Sequence, residues 1–149
     1  MKPGLSFFRY GRRAGAAIVE FALVAPLLLL LTAGVLDYAM LLRTAASLAD
    51  AARVGAQYGS VSVANSANIS GMQTAAVNSA PGISGMTATA VQTCECPGGA
   101  AVSCSGSCTG GKMLVYVKVT TQATADTVFS YSQLPFSGTV KGQASMRAQ

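Results

Sequence analysis

The chain has 149 residues, of which 51% are hydrophobic and 10% charged, with a formal charge of +5 and no histidine. So few charges exclude an ordinary cytosolic domain. Without histidine, and with Glu20, Asp37, Asp50, Glu95 and Asp126 too scattered to pair as acid and base, the expectation is no catalysis, no cofactor, no bound metal and no small-molecule substrate.

Residues 1–15 make a basic leader. Lys2, Arg9, Arg12 and Arg13 carry four of the ten bases. The basicity therefore belongs to that leader, and no electrostatic footprint for nucleic acid is expected on a folded face. Ala16 to Leu36 follows as an apolar run with one ionisable side chain, Glu20. About 20 apolar residues at 1.5 Å rise cross a bilayer core of roughly 30 Å, so residues 16–36 read as a transmembrane helix. The basic cluster before it would hold the amino terminus in the cytoplasm and send the rest of the chain outward. A cleaved secretory signal with a cut near Thr32–Gly34 fits less well, because the run is long, contains Glu20 and continues as a patterned helix. A carboxylate at the centre of such a helix costs about 2.5–3.5 kcal/mol, and less near an end, so Glu20 calls for a partner. Pro26 removes one helical hydrogen bond and is expected to bend the helix or mark a point of local melting.

Residues 37–58 extend the helix beyond the membrane. Tyr38, Leu41, Leu42, Ala45, Leu48, Ala49, Ala52, Gly55, Ala56 and Gly59 trace one helical stripe, with Arg43, Ser47, Asp50 and Gln57 opposite. The stretch "GAAIVEFALVAPLLLLLTAGVLDYAMLLRTAASLADAARVGAQYG" resembles the TadE-like family, pilin-like proteins of the tight-adherence (Flp) pilus assembly system. The resemblance rests on Gly15, Val19, Glu20, Phe21, Ala22, Pro26, Gly34, Asp37, Ala52, Arg53, Gly55 and Ala56. It implies cleavage between Gly15 and Ala16 by a membrane prepilin peptidase, which makes Glu20 the fifth residue of the mature chain, followed by Phe21. The cut would leave an α-ammonium group in apolar surroundings. A carboxylate one helical turn away, on the same or a neighbouring subunit, can neutralise it. Phe21 and Pro26 would serve helix packing. The implied protein is a minor pilin-like (pseudopilin) component of the apparatus. Its partners would be other pilin-like subunits, the assembly machinery and the peptidase, and it would sit in the inner membrane as a single-pass protein with its C-terminal domain extracytoplasmic. The alternative is an uncleaved membrane-anchored binding module or adhesin.

Residues 59–149 read as the extracytoplasmic domain. A short helix is expected after a cap at Asn65 or Ser66, with Ile69, Met72, Ala76 and Val77 on its apolar face and an end at Pro81-Gly82. The period then falls to two. In "KMLVYVKVTTQATA", Met113, Val115, Val117 and Val119 share one side; in "TVKGQASMR", Val140, Gly142, Ala144 and Met146 do so; "MTATAVQTC" reads as a third strand. Between the last two strands, Phe129, Tyr131, Leu134 and Phe136 would plug an edge. In the Cys-rich hairpin 94–108, Cys94, Cys96, Cys104 and Cys108 are expected to form two disulfides in an oxidising compartment, their spacings being atypical for zinc. Of three connectivities, a hairpin turning at Pro97-Gly98-Gly99 favours the nested one, Cys94–Cys108 with Cys96–Cys104. The expected fold is α+β and pilin-like: a long amino-terminal helix packed on a small antiparallel sheet.

Overall fold

The computed structural model describes residues 13–124 and 138–149. The leader through Arg12 and the expected aromatic plug lie outside the described residues. One α-helix, α1 (Arg13–Ser60, 48 residues), joins the apolar run and its amphipathic extension without a break and measures about 72 Å at 1.5 Å per residue. Two short helices follow, α2 (Val63–Ala67) and α3 (Ile69–Asn78). Four strands complete the fold, β1 (Thr87–Glu95), β2 (Ala101–Val102), β3 (Leu114–Thr124) and β4 (Thr139–Arg147). The sheet is antiparallel throughout, in the order β2-β1-β3-β4, so the architecture is α+β with a long helix on a small sheet.

Strict alternation gives the sheet one dry face. Along β3, Val115, Val117, Val119, Thr121 and Ala123 are buried, while Lys118, Gln122 and Thr124 are exposed. The C-terminal half of α1 lies on the dry face with α3 beside it. Ala52, Ala56, Met72, Ala76, Ala90, Val117 and Val119 form the main core; Leu48, Ala51, Met86 and Ala123 form a second cluster.

Small residues set how closely the layers approach. A Cβ at Gly142 of β4 would run into the Leu48–Ala49 peptide of α1, and one at Gly55 would stand 2.8 Å from the Met72 carbonyl oxygen. With helix and sheet backbones this close, the buried Thr121 Oγ1 donates a hydrogen bond of 2.7 Å to the Leu48 carbonyl. Such a bond contributes on the order of 1 kcal/mol net. The same contacts give direction: Gly59 faces Val117, Gly55 faces Val119 and Leu48 meets Thr121. β3 therefore runs against α1, and its start at Leu114, next to Glu95, lies at the far end from the bare helix.

Three expectations need correction. The buried stripe of α1 includes Ala51, whereas Ala49, Tyr38 and Leu42 are exposed. α1 is buried between sheet and α3 on two flanks, which widens its dry arc around Leu48–Gly59, and Tyr38 lies outside that arc. The helix after α1 is split. Ser62 caps α2, accepting from the Asn65 N–H, and Asn68 caps α3, accepting from the Gly71 N–H. Asn65 and Ser66 sit inside α2, where Ser66 is buried and accepts a 2.8 Å bond from Gln92 Nε2. α3 ends at a Ser79 cap before Pro81, and Val77 faces partly outward. Lys118, Lys141 and Arg147 share the wet face of β3 and β4.

Candidate functional site

The amino-terminal half of α1 has the surface of a core element without a core around it. Phe21 is 71% exposed, Leu23 75%, Leu29 69% and Leu36 58%. The hydropathic window in Ala17–Ser60 is wholly unburied, and the helix is long and apolar enough to cross a membrane. From Ala17 to Met40 it runs about 36 Å, against a bilayer core of about 30 Å. Bare leucines in water would cost about 25 cal/mol for every Å² left unburied, so this surface is built for an apolar solvent or for other helices.

The residues singled out for processing and packing lie together at the start of this segment. The Gly15–Ala16 peptide falls in the first turns of α1. A Cβ at Gly15 would meet nothing within 4 Å among the described residues. Glu20 lies four residues after Ala16, one turn along the same helix face and about 6 Å further on, and its side chain is exposed. Phe21 is its exposed neighbour. Pro26 is exposed and lies within uninterrupted α-helix. It supplies no N–H to the Ala22 carbonyl, which leaves that oxygen available to a donor outside the helix. Among the described residues the buried core begins at Leu48, about 40 Å away along the axis.

All four cysteines form disulfides, but their pairing is crossed, Cys94–Cys104 and Cys96–Cys108, rather than nested. The register of the hairpin explains the difference. The Cys96 N–H donates to the Ala100 carbonyl, and the Gly99 N–H closes the turn on Cys96. Cys94 pairs with Val102. Cys104 stands two residues beyond Val102, within reach of Cys94, but four beyond Ala100 and out of reach of Cys96. A second turn, with the Gly106 N–H on the Ser103 carbonyl, carries Cys108 back to Cys96, with Cα atoms 5.6 Å apart. Cys94 is buried with Val115 and Ala148, so the Cys94–Cys104 bond belongs to the core, while the Cys96–Cys108 bond ties the loop outside it.

Sequence reasoning placed Gly142 on the inner face but found neither its contact with the Leu48–Ala49 peptide nor the Thr121–Leu48 bond. Both depend on which helix crosses the strand, which no local pattern encodes. Among the described residues no group of acids and cysteines is arranged to hold a metal ion.

The comparisons with known proteins single out this same helix. The family model described as TadE-like protein matches residues 15–57. The matched segment begins at Gly15 and ends beside Gly59, so it covers both the bare half of α1 and the half that packs on the sheet. No curated protein and no solved structure matches the chain.

Proposed function

We propose that this chain is a minor pilin-like (pseudopilin) component of a Tad/Flp-type pilus assembly or secretion apparatus, working by helix packing rather than by turnover. A prepilin peptidase cuts between Gly15 and Ala16 on the cytoplasmic side of the inner membrane. The freed helix stays in the bilayer with the disulfide-bonded domain outside. The observation that carries this reading is a bare apolar helix whose first carboxylate, Glu20, stands one turn from the bond to be cut, in a segment that matches TadE-like proteins. Before the cut, Glu20 has the leader's bases at its cytoplasmic end. Afterwards the new ammonium group at Ala16 and the Glu20 carboxylate form a pair of opposite charge in a medium of low dielectric, where leaving either alone is costly. When the pair is shared between subunits, it sets their axial register in the membrane or in a filament. The exposed Phe21, and the Ala22 carbonyl to which Pro26 has no N–H to donate, give the neighbouring helix a surface to pack on.

Two substitutions test the reading in cells that produce the pilus. Gly15→Leu is expected to block removal of the leader. Glu20→Ala is expected to reduce pilus production while the protein remains in the membrane with its disulfides formed. Normal maturation and normal piliation in both strains would instead favour an uncleaved anchored module that presents the outer domain.

A further inference from the structure

The foot of the outer domain holds a cavity of about 430 Å3 between α1 and the turn after α3. Met40, Arg43, Thr44, Ser47, Asp50, Ala80 and Ile83 are among the residues that line it, Asp50 two helical turns beyond Arg43. Its walls divide by chemistry: Met40, Ala80 and Ile83 are apolar, Arg43, Thr44 and Ser47 offer a guanidinium and two hydroxyls, and Asp50 sets a carboxylate at the opposite end. Arg43 is exposed, so its cation is available to a ligand.

We propose that this cavity seats the headgroup of an anionic phospholipid, with the phosphodiester on Arg43 and the hydroxyls and the acyl chains running down the bare helix below. The inference rests on the reading that α1 spans a bilayer. Given that span, depth follows from helix geometry. The bare stretch from Ala17 to Met40 is about 36 Å long and uses up a hydrocarbon core of about 30 Å. Arg43 then stands within one turn of the end of the bare stretch, at the level of the lipid phosphates, with the exposed Tyr38 in the aromatic belt just beneath. A guanidinium presents a fork of donors that matches phosphate oxygens. Asp50, about 10 Å further along α1, repels an anion placed deep in the cavity and favours one held at the Arg43 end. Below Arg43 the cavity wall passes through Met40 into exposed Leu36 and Leu29 on the same helix face, which continue the site as a track for acyl chains. A water-soluble phosphate would have no use for that track.

The test uses full-length protein reconstituted in nanodiscs of equimolar phosphatidylglycerol and phosphatidylcholine. Lipids that stay bound on release from the disc are counted by native mass spectrometry. The wild-type chain is expected to retain phosphatidylglycerol over phosphatidylcholine by about fivefold, the weight of one interfacial cation. Arg43→Gln should bring the ratio to parity. Ser47→Leu, which fills the cavity but keeps the charge, should lower it too. Arg53→Gln, on an exposed side chain of α1 outside the cavity, should leave it unchanged. Equal ratios in the wild type and Arg43→Gln, or an Arg53→Gln effect as large as that of Arg43→Gln, would overturn the proposal. A chain that fails to float with vesicles of the same lipids would overturn the membrane-spanning reading itself, a separate result.

Discussion

The two halves of α1 use opposite rules for size. From Ile18 to Leu36 the large side chains, valine, leucine and phenylalanine, are outermost. From Leu48 to Gly59 the buried positions are mostly alanine and glycine: Ala51, Ala52, Gly55, Ala56 and Gly59. The packed half must lie close to a sheet and a second helix, so small residues set the contact, and bulk is supplied from the other side by Met72, Val117 and Val119. The bare half has no partner within the described residues and keeps its bulk for lipid or for neighbouring helices. A single continuous helix thus carries one surface finished by the protein itself and one left to be finished by its surroundings.

The comparison predicts where substitutions hurt. Gly142→Val drives a branched side chain into the Leu48–Ala49 peptide and is expected to cost about 3 kcal/mol or more. Loss of the outer domain's thermal transition in detergent would register it. Gly34→Ala, in the bare half where an added Cβ meets nothing within 4 Å, should leave that transition in place. Next come the disulfides. Replacing Cys94 and Cys104 by serine removes a cross-link and puts polar atoms into a core, for an expected loss of about 3–4 kcal/mol. The Cys96 and Cys108 pair should cost about 2 kcal/mol, since only the loop is released. Denaturant midpoints of the two double variants would rank them. Thr121→Val keeps the shape and deletes the bond to Leu48, and a loss of about 1 kcal/mol is expected by the same measurement. Smallest on this scale is Glu20→Ala, which should not move the outer domain's midpoint at all. A shift there would mean that the two halves are coupled and would break the comparison.

Legibility from sequence followed the range of the interactions. The inner faces of β3 and β4 were readable because Val115, Val117, Val119 and Gly142 repeat with period two, and α1 because its apolar run is long. The cap of α3 was not. Between Ser62 and Asn68 four residues can cap a helix, and the choice falls to Asn68, whose Nδ2 reaches Tyr58 Oη at 3.1 Å from across the fold. β2 is a two-residue strand that exists through its pairing with Cys94 and Glu95, too short to leave a period. The crossed disulfides follow from that pairing, so they were hidden with it. At the start of α1, Gly15, Glu20 and Pro26 were visible as residues that break an otherwise apolar run. The cavity at Arg43 was hidden, because its other wall comes from residues nearly forty positions further along the chain.

The central claim is that the bare half of α1 becomes a mature amino terminus whose charge is met by Glu20. The most direct measurement is the intact mass of the protein isolated from native membranes. The account predicts a chain that begins at Ala16, with the leader through Gly15 gone. A mass corresponding to a chain that still carries Arg12 and Arg13 would contradict it.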